Sequence, residues 1–341
     1  MTPEQPAPNP RRVVAVVVTY NRLELLQRLV ERLRSLPRLE AVLVLDNAST
    51  DGTGEWLASL PSHQAIPLEP ALEAPAGDPA AEPATEVAGL GPGPQVLGRT
   101  ATTNRGGAGG FHDGLAWATE LGADLVWLMD DDGLPEPDCL ELLLAHDPEL
   151  DFWGPAVVAE QDPSRLCFPI RLPGSSRVVH DMASVQAAAR DGLIADVVIP
   201  FNGVLVTAEL VARIGLPREE FFIWGDDVEY LWRALAADAR CATVVAARFA
   251  HPATDDLGTP MMFGRTTYNH SPSDLKHYCM ARNNLVNLRA YRGNPHALAF
   301  VVKTLWFYLF TRPQPRRVGL SLAAMRDGLR GDFTGHRRFL A

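Results

Sequence analysis

Three consecutive carboxylates, Asp130-Asp131-Asp132, directly follow an apolar run at residues 125–129. Alternate acids at the end of a rigid strand can share one divalent cation, because Mg2+ and Mn2+ prefer oxygen ligands. Such an ion can bridge two phosphates and stabilise charge on a departing diphosphate. The competing reading is a solvated acidic turn that caps the next helix. An EF-hand loop fails: Asp130, Asp132 and Glu141 take positions one, three and twelve, but Pro135 stands at the sixth, where glycine is required.

A second acidic group, Asp226, Asp227 and Glu229, opens a predicted helix that runs through Ala237. The helix dipole stabilises acids at such a start; alternatively, one of them is a general base that takes the proton from an attacking hydroxyl. Crowded like charges raise one pKa of the group and couple their titrations. His251 follows Asp227 by 24 residues, at the end of another strand and before Pro252. That setting suits a structural histidine, or a neutral imidazole completing a site of carboxylates. Asp46 ends a further apolar run and either accepts hydrogen bonds from a nucleobase or ribose or caps the turn behind it. The glycine-rich run 103–110 either cradles phosphate through backbone N–H groups at a helix start or forms a plain tight turn. It is no dinucleotide fingerprint, since from Gly107 the third glycine falls on His112, and no GK[ST] of a P-loop follows.

The elements that must position these groups are legible as runs and periods. Residues 13–18 are apolar and mostly β-branched, as in a strand covered on both faces, and end at Thr19-Tyr20-Asn21. Leu23, Leu26, Leu29, Val30 and Leu33 have helical spacing, with Asn21 as the expected N-cap and Glu24 approximating a capping box. A second strand, 41–45, runs into Asp46-Asn47; the turn 48–54 leads to a short helix around Trp56. The glycine run is expected to feed a helix at 111–121. Residues 197–206 suggest a strand interrupted by Phe201-Asn202-Gly203, residues 242–249 another strand, and from Asp274 the chain is mostly helical. Strands alternating with helices at this spacing imply βαβ units and a parallel sheet. The strand ends then share one edge, where such sheets bind ligands.

At 341 residues, with 47% apolar and 21% charged, the chain suits one large core, alone or with an appended module. A net charge of −10 argues against nucleic acid as a partner. Cys139, Cys167, Cys241 and Cys279 stand far apart without a CxxC pair, as reduced thiols of a cytosolic protein do. Residues 1–10 suggest a loose tail. Residues 61–94, rich in Pro, Ala, Glu and Gly without apolar period, suggest a flexible insertion within the domain. The late apolar stretch 297–310, broken by Lys303, is short of the roughly 20 residues a bilayer span needs.

Taken together, VVVTYNR, VLDNASTDGT, TNRGGAGGF, WLMDDDG, FFIWGDDVEY and the later HP resemble the family 2 glycosyltransferases, inverting enzymes of the GT-A fold. The resemblance runs from Val13 to His251 and more loosely to Arg292. Within that family, GGAGGF, FNG, GDDVEY, HP and YCMARNN look most like bacterial galactofuranosyltransferases acting on polyprenyl-linked glycans, with rhamnosyltransferases the near alternative.

The resemblance implies an α/β fold, a mostly parallel sheet flanked by helices, with a GT-A catalytic domain at 11–272 and a helical extension at 273–341. It implies that Asp130, Asp132 and His251 bind Mn2+ or Mg2+, and that Asp227 is the catalytic base, with Asp226 the second candidate. Thr19, Tyr20, Asn21 and Asp46 would hold the nucleoside. Asn104, Arg105, Gly106 and Gly107, with Asp131, would line the donor site. Trp224 would stand near the acceptor, offset from the acids by Gly225, and Arg282-Asn283 would face the diphosphate or the acceptor.

The implied partners are a nucleotide-diphosphate sugar, UDP-galactofuranose or else dTDP-rhamnose, and a glycan or polyprenyl-linked acceptor. From Lys303 onward there are eight Lys/Arg against two Asp, beside the aromatic Trp306, Phe307 and Tyr308. Such a segment can lie on an anionic membrane surface, or pack as a core helix or dimer contact. The expected location is cytoplasmic, peripheral on the inner face of the plasma membrane. Two rivals stand beside this reading: a nucleotidyltransferase, which releases pyrophosphate, and a catalytically silent sugar-nucleotide binder on the same fold.

Overall fold

Every residue of β1 (Val13–Thr19) is buried, a state open to a β-branched run only when both faces of its sheet are covered. In the computed structural model, β1 lies between β2 (Leu39–Asp46) and β4 (Leu125–Asp130), parallel to both, and β3 (Gln95–Thr100) extends the parallel set beyond β2. The register pairs Thr19 with Asp46 and Val18 with Asp130, so three polar strand ends reach one rim together. The structure describes residues 11–60, 93–147, 149–175, 177–253 and 258–340; the expected tail and most of the 61–94 insertion lie outside the described residues.

Beyond β4 the sheet becomes mixed. Its order there is β4, β10 (Asn202–Thr207), β6 (Phe152–Ala159), β11 (Cys241–His251) and β5 (Leu134–Pro135). Because β10 runs antiparallel to both β4 and β6, β6 again points the same way as β4, and β11 is parallel to β6. His251, the last residue of β11, therefore arrives at the edge occupied by Asp130. The two-residue β5 pairs with β11 at Phe249 and Ala250, tying the chain just after the aspartates to the approach of His251. Off this path, β7 (Asp162–Arg171) pairs with β6 and with β8 (Val178–Asp181), and β9 (Leu193–Ala195) pairs with β11. The expected strand at 197–206 is confined to β10, since Phe201 takes a positive φ (58°) that breaks the extended backbone ahead of it; Gly203 (φ 73°) makes an irregularity within β10.

Alternating residues of β1 serve opposite layers, as the period of a strand requires. Val13, Ala15 and Val17 pack with Leu26, Leu29 and Leu33 of α1 (Leu23–Arg34), near Leu57 of α2 (Thr53–Ser59) and Leu143 of α4 (Cys139–Leu144). Val14, Val16 and Val18 pack with Phe111 and Leu115 of α3 (Gly106–Glu120), in a cluster that includes Leu210 of α6 (Ala208–Ile214) and Tyr230 of α7 (Asp226–Ala236). The smaller α5 (Met182–Ala188) closes a satellite cluster over β7 and β8.

Two expectations are corrected here. The N-cap of α1 is Arg22 and makes no side-chain cap; Asp51, from the loop after β2, accepts from Leu23 N at 2.9 Å instead. Asn21 is drawn away at φ 53°, where its Oδ1 accepts from Thr50 N at 2.7 Å. The helix predicted from residue 111 begins at Gly106, so the glycines are helical. Gly110 and Gly114 lie against β1, where an added Cβ would come within 2.4 Å of Val18 and Val16 respectively. Close helix–sheet approach outweighs the roughly 1 kcal/mol per residue that glycine costs in a helix.

Helices α8 (Asp274–Tyr291), α9 (Asn294–Trp306) and α10 (Pro315–Leu329) complete the chain around Tyr278, Cys279, Leu285, Ala324 and Met325, a cluster that also takes in Phe222. A hairpin of β12 (Thr259–Met261) and β13 (Thr266–Tyr268) stacks Tyr268 on Phe307, 4.6 Å between ring centres. No helix among the described residues is long and apolar enough to cross a membrane. All four cysteines are buried and free.

Candidate active site

The rim formed by β1 and β2 is built from side chains that hold one another. Asn47 N donates to Thr19 O (2.9 Å), and the Thr19 hydroxyl donates to Asp131 Oδ2 at 2.7 Å. Asp46 is buried: its Oδ1 accepts from Ser49 N at 3.0 Å, whereas its Oδ2 has no hydrogen-bond partner. Asn21 and Ser49 clasp the two loops, with Asn21 N donating to Ser49 Oγ at 2.9 Å, and Tyr20 stands 45% exposed above them. Thr19, Tyr20, Asn21 and Asp46 are thus neighbours at the ends of adjacent parallel strands.

The acidic triplet divides into three environments. Asp131 is buried and holds Thr19 and Arg22; burial raises its carboxyl pKa, and the two partners only partly oppose that. Asp132 meets Arg22 Nη1 through Oδ2 at 2.5 Å and His251 Nε2 through Oδ1 at 3.1 Å. Burial pushes its pKa up, but His251 and Arg22 outweigh that and leave it below the usual value. His251 responds in the opposite sense: against its own burial, Asp132 and contacts with Cys167 and the Pro252 carbonyl raise it to about 10. Asp130 is pushed well above the carboxylate range by burial first, then by Asp132, Asp131 and Asp226. The last influence brings the two acidic groups of the sequence to one place.

Of the three expected metal ligands, the structure brings two into contact. Asp132 and His251 touch at 3.1 Å, an oxygen and an imidazole nitrogen that would suit a divalent ion. Among the described residues, however, no three His, Cys, Asp or Glu side chains stand together closely enough to hold an ion as placed.

Asp226 and Asp227 open α7 behind a loop of unusual backbone: Phe222, Trp224 and Gly225 all have positive φ, at 65°, 73° and 87°. Three side chains of α8 hold that loop by its carbonyls. Asn283 Nδ2 donates to Phe221 O (3.1 Å), Ile223 O (3.2 Å) and Trp224 O (2.7 Å), and Asn287 Nδ2 to Gly225 O at 2.7 Å. Arg282 donates to Phe221 O and Phe333 O, each at 2.9 Å, and is wholly buried. The expectation that Arg282 faces a diphosphate or acceptor is therefore corrected: its guanidinium is engaged by backbone and braces the acidic loop. Trp224 remains 37% exposed. Asp226 is buried and Asp227 half-buried, with Asp227 Oδ1 accepting from Val228 N at 2.7 Å. Burial raises both pKa values, that of Asp226 further through Asp227. Glu229 is consumed structurally by Arg233 (2.7 Å) and Tyr291 (2.6 Å).

Three N–H groups at the glycine run are engaged within the protein. Arg105 N donates to Asn47 Oδ1 (2.8 Å), Gly106 N to Asn104 Oδ1 (2.8 Å) and Ala108 N to Phe222 O (3.1 Å), so the start of α3 is largely satisfied from within. Gly106 must be glycine for a different reason: at φ 71°, an added Cβ would lie 1.9 Å from Phe222 O. Arg105 is paired with Asp113 and Glu219. Gly107 alone has nothing within 4 Å of where a Cβ would stand.

Sequence reasoning missed Arg22, Asn47 and Asn287, and expected Asn283, with Arg282, to face the diphosphate or the acceptor, whereas its amide donates to the carbonyls of the acidic loop. Arg22 and Asn47 each sit beside a singled-out residue, and that adjacency was the available signal. Asn287 lacks one, because it acts on a loop about 60 residues away.

Residues 14–67 and 77–178 match the family described as glycosyl transferase family 2. The chain is 31% identical over 331 residues to galactofuranosyltransferase GlfT1 of Mycobacterium tuberculosis, spanning 94% of this chain and 96% of that one. Among solved structures, S. aureus TarS in complex with UDP-GlcNAc has a TM-score of 0.52 at 14% identity, over 94% of this chain and 81% of that one. GalNAc-T7 with UDP, GalNAc and Mn2+ has a TM-score of 0.52 at 10% identity, over 98% of this chain and 59% of that one. At such identities these likenesses speak to the fold, which is the GT-A architecture. By its extended identity to a curated relative and its matching segments, the chain belongs to the family 2 glycosyltransferases.

Proposed function

We propose that this glycosyltransferase moves galactofuranose, with inversion, from UDP-galactofuranose to a hydroxyl of a glycan or polyprenyl-linked acceptor in cell-wall or surface polysaccharide assembly. The donor assignment is supported by the identity to a galactofuranosyltransferase along 94% of the chain. One observation carries the chemistry: Asp132, just beyond β4, and His251, at the end of β11, meet at 3.1 Å on the rim where Thr19 and Asp46 also end.

Each residue then has a task. Asp227 takes the acceptor proton at Oδ2, since its Oδ1 is held by the Val228 N–H; it is also the more accessible of the pair. Asp46 Oδ2, buried and partnerless, accepts from the nucleoside, with Thr19, Tyr20 and Asn21 around it. Trp224 offers an exposed ring to the acceptor. Asp132 and His251, with Asp130, would hold Mn2+ or Mg2+, a fit supported by their oxygen and imidazole donors and by the 3.1 Å between Asp132 Oδ1 and His251 Nε2. When bound, that ion supplies Lewis-acid stabilisation of the departing diphosphate. GalNAc-T7, of the same fold, carries Mn2+ and UDP. A lipid-linked acceptor further places the chain peripherally at a membrane surface.

The test is direct. Purified protein is incubated with Mn2+, a polyprenyl-linked glycan and UDP-galactofuranose, with dTDP-rhamnose and GDP-mannose in parallel. UDP release together with the mass of one added hexose is expected from the first donor alone. Turnover of dTDP-rhamnose instead moves the specificity; pyrophosphate release from UTP and a sugar phosphate marks a nucleotidyltransferase.

A further inference from the structure

The end of the chain carries charge opposite to the whole. Residues 294–326 include Lys303, Arg312, Arg316, Arg317 and Arg326 and no Asp or Glu, in a protein of formal charge −10; Arg316 and Arg317 pair with Asp274 and Arg326 with Asp327, which leaves Lys303 and Arg312 nearest the outer face. Across that stretch, α9 and the π-helical turn after it bury Ala297, Thr304, Phe307 and Tyr308. The opposite side is also apolar: Leu298, Val302, Leu309 and Phe310 are 64%, 50%, 49% and 65% exposed. Their spacing puts them on one helical face roughly 18 Å long. A surface helix ordinarily turns polar residues outward, and a contiguous exposed apolar strip marks an interaction surface. Phe263, at the tip of the β12–β13 hairpin, is 95% exposed, next to Met262, which packs against the cluster of Phe307 and Tyr308. The exposed cations Arg265 and Arg312 flank these residues.

Charge decides the occupant. A strip of this kind edged by cations, on an otherwise acidic protein, suits a surface that is apolar inside and anionic at its rim. We propose that the outer face of α9, with Phe263, docks flat on an anionic lipid bilayer, the arginines meeting lipid phosphates. This deepens the reading of a lipid-linked acceptor and rests on it.

Full-length protein is mixed with vesicles of phosphatidylcholine, with or without phosphatidylglycerol, and binding is measured by flotation without donor or acceptor. Binding to the anionic vesicles alone, weakened by salt, is expected. Val302→Asp combined with Phe310→Asp, and separately Arg265→Glu with Arg312→Glu, should each weaken it about tenfold or more. The charge pair keeps the test open should the apolar pair unfold. Turnover with a water-soluble acceptor should be unchanged in both. Indifference of the wild-type protein to anionic vesicles, equal binding by the variants, or a wild-type dimer that they split in ultracentrifugation would each overturn the proposal. Since binding is scored without sugar transfer, its failure leaves the transfer reading standing; an inert protein that binds vesicles counts against transfer alone.

Discussion

Asp132 has two oxygens and a cationic neighbour for each, whereas Asp130, two residues earlier, has acids around it. Identical side chains on one short turn are thus driven to opposite charge preferences by what other strands bring to them. Replacing Asp132 with Ala should remove both metal-dependent turnover and Mn2+ binding seen by electron paramagnetic resonance; full activity in EDTA would take the ion out of the mechanism. Asp227→Asn should keep UDP-sugar binding and lower kcat by about 10²–10⁴-fold, the usual worth of a positioned base. A variant with unchanged kcat moves the base to Asp226. Burial raises the pKa of both acids. A base must be ionised to act, so the acid limb of the kcat profile should lie above the range of an exposed carboxylate and disappear in Asp227→Asn.

At the scale of elements, the loop ahead of α7 holds two non-glycine residues at positive φ, each costing roughly 1–3 kcal/mol. Asn283 and Asn287 of α8 offset this by donating to the carbonyls of Phe221, Ile223, Trp224 and Gly225. Asn283→Ala should therefore lower stability by about 3 kcal/mol and reduce kcat while sparing the donor KM, since the nucleoside rim belongs to β1 and β2. An altered donor KM with normal kcat would contradict that division. The same loop presses on α3 through Phe222 O, and Gly106→Ala meets both a positive φ and that carbonyl at 1.9 Å. A loss of more than roughly 2 kcal/mol in urea unfolding is expected.

At the scale of the whole molecule, the C-terminal helices are part of the machinery and not an appendage: Arg282 links the acidic loop to Phe333, and Phe222 stacks on His336 at 4.4 Å. Their own packing carries a pH liability. His277 is fully buried between Ser321 Oγ (2.9 Å) and Tyr308 OH (3.2 Å). Burial, then the charges of Arg317 and His270, push its pKa down to about 4 against the opposing pull of Asp274. The unfolded chain thus binds this proton more readily. Stability is intact above the ordinary histidine pKa near 6.5 and lost as pH falls toward 4, on the order of 3 kcal/mol in all. The melting temperature should drop across that window, and His277→Gln should flatten the drop; an unchanged slope would assign acid sensitivity elsewhere.

Local pattern sufficed for the buried strands, their oxygen-rich ends and the shared rim, because apolar period is a property of the chain read in order. Only the folded molecule decided that Asp51 caps α1, that α3 starts at Gly106, that Arg22 grips the aspartates and that Arg282 is spent on backbone. Each depends on a partner remote along the chain: Arg22 reaches Asp131 across 109 positions, and Asn283 reaches the acidic loop across about 60. A side chain's type states which bonds it can make; its surroundings, assembled from distant segments, select which of them it does make.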